Sequence, residues 1–303
     1  MDVHGGTGRS VSTPPPVAER KGKAATVDHE SVCPSGPQVF EREVAVATEA
    51  VTKAAAIARS RFQTFIQRTP KGDTGDVVTD VDIECEEAIV RLLRAEFPQH
   101  AIIVEESAGH PGESRWSWVV DPLDGTNNYI HAFPVYGASV ALCEEGDPVL
   151  ACIAEAHGGS LIVAIRGSGT TVDGLPLQLV ETHRSSVGAA LWLGYSTSRR
   201  DDFVQALAVA LSRTTRRTFD NWAPTVDVAL YLRGGIDVIV GHRCSGTELP
   251  AALLALREAG ARIVDLDGSA VDLKHVPMTF VAGRFETVDR VLQELRSGFV
   301  GRG

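Results

Sequence analysis

The apolar run Trp118-Val119-Val120 passes directly into Asp121-Pro122-Leu123-Asp124-Gly125-Thr126-Asn127-Asn128. A strand that delivers two carboxylates three residues apart and then turns on Gly-Thr constrains whatever packs around it. Such a turn can aim both carboxylates at one point, while the Gly125 and Thr126 amides open the next segment. Oxygen-only ligands on a tight turn suit a hard cation such as Mg²⁺, and amides at a helix start suit an anion. Asp-Pro and Asp-Gly are also ordinary turn formers, so the turn alone leaves metal chemistry and a plain structural turn both open. Two further acidic clusters have the same double reading. Val104-Glu105-Glu106-Ser107 ends another strand, as a neighbour of the acidic turn or as a surface pair. Thr79-Asp80-Val81-Asp82 stands before a helix, as a site element or as an N-cap.

Around these clusters the hydrophobic pattern divides the chain. Residues 1–38, with the run Pro14-Pro15-Pro16 and no apolar periodicity, are expected to be a disordered leader. Val44, Ala47, Val51, Ala54, Ala58, Phe62 and Phe65 recur at helical intervals and predict an amphipathic helix within Phe40–Phe65. Cys85, Ile89, Leu92 and Phe97 predict a second helix that stops before Pro98. Strand-like segments follow at 102–104, 118–120, 136–143, 149–155 and 161–166, joined by short turns that favour antiparallel neighbours. Beyond about residue 185 strands at 189–193, 238–240, 263–265 and 279–281 alternate with helices near 202–212, 224–232, 249–259 and 286–296. The expectation is an N-terminal α+β half over 39–184 and a C-terminal α/β half over 185–303, in one compact unit.

Charge narrows the function. The 303 residues carry a formal net charge of −10, which opposes a nucleic-acid binder and requires a local cation for any phosphate-bearing substrate. No apolar run approaches the ~20 residues of a membrane span, and no signal-peptide pattern opens the chain. Five cysteines without CxxC spacing (Cys33, Cys85, Cys143, Cys152 and Cys244) fit a reduced, cytoplasmic protein with neither disulfides nor zinc.

Taken together, the motifs resemble those of the inositol monophosphatase-like family of Mg²⁺-dependent, lithium-sensitive phosphatases. The signature D-P-[LI]-D-G-T-x-N-[FY]-x-x-x-x-P runs from Asp121 to Pro134, with the E-E-S element at Glu105 and the T-x-x-D element at Thr79–Asp82. R-G-x-G-x-x-x-x-G matches Arg166–Gly174, and R-E-A-G-x-x-x-x-D-x-x-G matches Arg257–Gly268. The resemblance spans about residues 40–298. It implies a layered α-β-α-β-α sandwich of α+β and α/β character, and hydrolysis of a small phosphate monoester by metal-activated water with two or three Mg²⁺. It also implies that the N-terminal half holds most metal ligands, the C-terminal half the substrate pocket and one ligand, and that the protein is a homodimer. By motif position Glu105, Asp121 and the Leu123 carbonyl hold the first metal, Asp121, Asp124 and Glu248 the second, and Asp82 a third. Thr126, with Glu105, orients and deprotonates the water, Asp82 belongs to the same catalytic group, and the Gly125 and Thr126 amides hold phosphate.

Three departures bear on the substrate. Where the family has Trp-Asp-x-Ala-Ala-Gly, this chain has Thr247-Glu248-Leu249-Pro250-Ala251-Ala252, keeping the carboxylate with one more methylene. An acidic residue that contacts inositol hydroxyls is replaced by Gly241, and Gly-Ser/Thr-Ala of the pocket by Trp222-Ala223-Pro224. The Trp222 indole either lines the pocket, walling off inositol or stacking on a sugar or base, or packs as core. The expected substrates are therefore cyclitol, sugar or nucleoside phosphates other than inositol monophosphate, with Asp124, Gly125, Thr126, Trp222, Ala223 and Glu248 around them. The alternative is a non-catalytic relative that binds a phosphorylated ligand. Ile263-Val264-Asp265-Leu266-Asp267-Gly268-Ser269 also matches the haloacid-dehalogenase nucleophile motif, but only 34 residues follow it, too few for that fold, so it is expected to be a structural loop.

Overall fold

The computed structural model describes residues 40–71, 76–177, 188–194, 197–198 and 200–300. The expected leader over 1–38 and the 184/185 boundary between the halves lie outside the described residues. The chain opens with helix α1 (Glu41–Arg61), whose Ala47, Ala50, Val51, Ala54 and Ala58 form one buried face. A two-stranded antiparallel hairpin, β1 (Arg68–Lys71) and β2 (Asp76–Thr79), leads into α2 (Asp80–Glu96). Thr79 is the N-cap of α2, and its hydroxyl and the Asp82 carboxylate form a reciprocal capping box.

The first sheet then runs in chain order. Strand β3 (Ala101–Val104) lies parallel to β4 (Trp116–Asp124), which leads through the short helix α3 (Thr126–Ile130) into β5 (Gly137–Glu144). Strands β5, β6 (Asp147–Glu155), β7 (Leu161–Ile165), β8 (Gly169–Val172) and β9 (Leu175–Pro176) complete a meander in which each neighbour is antiparallel. The second sheet comprises β10 (Gly188–Leu193), β11 (Arg217–Phe219), β12 (Val238–Cys244), β13 (Arg262–Val264) and β14 (Met278–Gly283), in the order β11-β10-β12-β14-β13. Its helices are α4 (Asp202–Thr214), α5 (Pro224–Leu232), α6 (Leu249–Glu258) and α7 (Phe285–Val300).

Three buried clusters define the layers. α1 and α2 pack on one face of the first sheet. α5 and α6 fill the space between the two sheets, and α4 and α7 cover the outer face of the second. The result is the expected α-β-α-β-α sandwich. Strands β5 and β6 are buried almost throughout because both their faces meet helices, which is why they read as apolar runs rather than alternating patterns. The hairpin β1–β2, α3 and the short strands β8, β9 and β11 carry too few apolar residues for periodicity to announce them. Among the described residues no helix is long and apolar enough to cross a membrane. Among the described residues Cys85, Cys143, Cys152 and Cys244 are buried free thiols.

The stretch that matches the haloacid-dehalogenase motif leaves β13 as a loop over 265–269. Asp265 Oδ1 accepts the Asp267 and Ser269 amides at 2.9 and 2.8 Å, a self-contained turn. The Gly167 and Gly169 amides both donate to Glu258 Oε2, at 2.9 and 3.2 Å, fastening the β7–β8 turn to the end of α6.

Candidate active site

The acidic turn owes its geometry to a bulge. Asp121 pairs with Ser139 and Asp124 with Gly137, so three steps along β4 oppose two along β5. In a regular strand residues three apart point to opposite faces; the extra residue returns Asp124 to the face of Asp121. Gly125 follows at φ +89, where a Cβ would lie 2.7 Å from the Val135 carbonyl and 3.1 Å from the Ala223 Cβ, so glycine is required both for the turn and for the close approach of Ala223.

Asp82 serves two elements. Its Oδ2 accepts the Thr79 amide at 2.9 Å and the Thr79 hydroxyl, completing the cap of α2, while its Oδ1 accepts the Thr126 hydroxyl at 2.6 Å. Of the two readings of Thr79–Asp82, the N-cap is seen directly, and the same Asp82 also reaches the acidic turn through Thr126. The Thr126 hydroxyl also lies 2.9 Å from the Leu123 carbonyl. The sequence reading pairs Thr126 with Glu105; in the structure its carboxylate partner is Asp82, and Glu105 faces Lys71 at 3.0 Å. The same Lys71 ammonium lies 2.7 Å from Glu106.

Asp124 is held from the C-terminal half. Its Oδ2 accepts the Thr225 amide at 2.6 Å and the Thr225 hydroxyl at 2.5 Å, both from the first turn of α5. Glu248 stands at the start of α6, with Pro250 in the first turn as expected. Its longer side chain folds back over Gly246, where any Cβ would collide with the Glu248 carboxylate, so the extra methylene is accommodated by a missing one.

The electrostatics tie these groups together. Burial, and then the charges of Glu105, Asp124, Glu248 and Asp82, hold the Asp121 carboxyl well above the usual carboxylate range. Burial and Glu248 do the same to Asp124, against the Thr225 hydrogen bonds. Burial pushes Glu248 up to about 7, with Glu105 adding to it, and Asp82 up to about 6 against its bonds from Thr126 and Thr79. Burial alone would lower Lys71, but Glu105 and Glu106 hold its ammonium above the ordinary value. Five mutually repelling acids therefore share one region of the molecule.

Among the described residues no three His, Cys, Asp or Glu side chains stand together as a ready metal site. The reason is visible in the contacts, since Glu105 is turned onto Lys71 and Asp124 onto Thr225. The donor set nevertheless fits a hard divalent cation: it is all oxygen, largely buried, and carries excess like charge that such an ion would relieve. A separate cavity, lined by Arg262, Asp267 and Arg296 near the end of the chain, includes none of these residues.

The family model described as the inositol monophosphatase family matches residues 41–296. The chain belongs to the inositol monophosphatase family. Members similar to it in sequence include a Nus factor SuhB from Xylella fastidiosa, 30% identical over 75% of this chain and 84% of that protein. An inositol-1-monophosphatase from Synechocystis is 29% identical over 78% of this chain and 83% of its own length. In fold the chain is similar to a SuhB from Bartonella henselae, with a TM-score of 0.78 and 23% identity over 85% of this chain and all of that one. The Thermotoga maritima inositol monophosphatase gives a TM-score of 0.74 at 22% identity, over 86% of this chain and all of that one. Family membership accounts for the order of the five motifs; Lys71, Thr225, Asn221 and Asp227 are site neighbours that the motifs do not include. Only Thr225 had a local signal, since it follows Pro224 at the start of a predicted helix. Of the predicted pocket residues, Ala223 is fully buried against Gly125, whereas Trp222 is 55% exposed and so is not core.

Proposed function

We propose that the protein is a Mg²⁺-dependent phosphatase of small phosphate monoesters. The observation that carries this reading is the Thr126–Asp82 hydrogen bond beside the Asp121/Asp124 bulge. A hydroxyl donating to a buried carboxylate keeps its own lone pair available for a water, and a proton can pass from that water to Thr126 Oγ1 as the Thr126 proton passes to Asp82. Glu105, Asp121, the Leu123 carbonyl, Asp124, Glu248 and Asp82 are the residues that would hold two or three Mg²⁺. Bound there, Mg²⁺ supplies neutralisation of the ester, a lowered water pKa and a stabilised leaving alkoxide. The Gly125 and Thr126 amides orient the phosphate, and Thr225 fixes the rotamer of Asp124. A cytoplasmic homodimer completes this reading.

The relatives named Nus factor support a second reading, in which the chain acts by binding rather than by hydrolysis. The substitution of Glu248 and the Lys71 ammonium against Glu105 favour it. Phosphate release from a panel of cyclitol, sugar, nucleoside and amino-alcohol phosphates separates the two. The expected result is release that requires Mg²⁺, falls with Li⁺ and disappears with EDTA or in Asp121→Asn. Saturable ligand binding with no release from any compound would establish the binder instead.

A further inference from the structure

Trp222 has a backbone conformation that an indole residue seldom adopts. Its φ is +51, in the left-handed region, and its side chain is more than half exposed. Such a conformation is unfavourable for a residue with a Cβ and persists only when its surroundings enforce it. The enforcement is on both sides. Before it, the Asn221 carbonyl accepts the Asn128 side-chain amide from α3, the helix that follows the Gly125 turn. After it, Ala223 is buried against Gly125 itself. Trp222 is therefore an exposed aromatic side chain whose flanking residues are pinned to the turn that carries Asp124 and Thr126.

The pinning continues into the core. Asn221 Nδ2 donates to Asp227 Oδ1 at 2.5 Å, and the Trp192 indole N–H donates to Asp227 Oδ2 at 2.8 Å. Trp192, Gly241 and Phe280 are cross-strand neighbours on β10, β12 and β14. Because Gly241 has no side chain, the rings of Trp192 and Phe280 meet across it, edge to face with centroids 5.8 Å apart. A Cβ at Gly241 would strike the Phe280 ring. The bare backbone at Gly241 and the indole at position 222 are thus two ends of one packed, hydrogen-bonded construction.

We propose that Trp222 is a leaving-group platform, which selects phosphate monoesters whose alcohol carries a planar aromatic ring, and that Asn221, held between Asn128 and Asp227, is its positioning residue. The proposal rests on the phosphatase reading for the identity of the ester. A flat ring gains contact area and quadrupole complementarity on an indole that a puckered, hydroxylated ring does not. Gly241 offers no side-chain acceptor for the hydroxyls of a polyol.

The test uses the full chain with Mg²⁺ and two non-hydrolysable ligands matched in size, 2-phenylethylphosphonate and 2-cyclohexylethylphosphonate, titrated calorimetrically. The aromatic ligand is expected to bind about tenfold more tightly. Trp222→Phe should keep most of that ratio, Trp222→Leu should reduce it to near unity, and Asn221→Ala should reduce it while both ligands still bind. Equal affinities in the unsubstituted protein, failure of both to bind, or a Trp222→Leu variant that keeps the ratio would overturn the proposal. So would a Trp222→Leu effect traced by sedimentation to a changed oligomeric state. The corresponding phosphate esters, with a nucleoside 5′-monophosphate beside them, separate the two claims and the two ring sources. Discrimination between phosphonates without any ester hydrolysis would leave the platform standing and remove the phosphatase; hydrolysis without discrimination would do the reverse. Faster turnover of the nucleotide than of the phenylethyl ester would identify a base as the ring.

Discussion

Asp82 illustrates how much one residue can be asked to do. One oxygen closes the first turn of α2 and the other takes the Thr126 hydroxyl, so the helix cap fixes the direction in which the carboxylate accepts that hydrogen bond. If Thr126 relays that proton, Thr126→Val, which keeps the shape and removes the hydroxyl, should lower kcat by about 10²–10⁴-fold, the range for a lost acid–base group. KM for the ester and the midpoint for Mg²⁺ activation should change little, and Thr126→Ser should recover much of the rate. Steady-state kinetics on the three proteins checks this; a Thr126→Val enzyme with normal kcat would remove the relay. The same reading makes Thr79 a positioning residue. Thr79→Ala should cost about 1 kcal/mol of stability through the lost cap and also lower kcat, because the Asp82 rotamer loses its hydroxyl partner.

Elements, rather than residues, decide where the carboxylates meet. The bulge in β4 turns Asp121 and Asp124 to one face, and the first turn of α5 reaches across from the other half of the chain to hold Asp124 through Thr225. Thr225→Val removes one donor from a buried carboxylate and should cost about 1–3 kcal/mol, with a weaker apparent affinity for Mg²⁺. Urea unfolding and Mg²⁺ titration of activity measure the two effects, and an unchanged unfolding midpoint would show that Asp124 does not depend on α5. This contact also marks the limit of what was legible beforehand. The acidic turn, the layered fold and most strand and helix positions could be read because local pattern encodes them. The contacts of Thr225 with Asp124 and of Lys71 with Glu105 join residues 101 and 34 positions apart, and nothing in either local segment refers to the other. The indole at 222 was visible as a departure, but its exposure and left-handed backbone were not, because the contacts that flank it, Asn128 with Asn221 and Ala223 with Gly125, again join distant segments.

For the molecule as a whole, the acid cluster couples the site to stability. Burial raises Asp82 to about 6, Glu248 and Glu106 to about 7, and Asp121 and Asp124 well above the usual range. The same carboxyls titrate near ~4 in an unfolded chain. Between those limits the native state without metal binds more protons than the unfolded state, so the cluster's contribution to stability is fully present below about pH 4 and is lost as pH rises through about 7. Divalent cations act on the other side of the balance, since they bind the ionised ligands and compete with those protons. Calorimetric unfolding in EDTA and in saturating Mg²⁺ should therefore give nearly the same Tm at pH 5.5 and separate at pH 8. At 100 times the Kd the separation corresponds to about 2.7 kcal/mol for one ion. Glu248→Gln removes one of the repelling charges; in EDTA at pH 8 it should raise Tm, while shrinking the Mg²⁺ increment. A Mg²⁺ increment of equal size at both pH values, or a Glu248→Gln protein less stable than the parent in EDTA at pH 8, would show that these acids do not form one electrostatic unit.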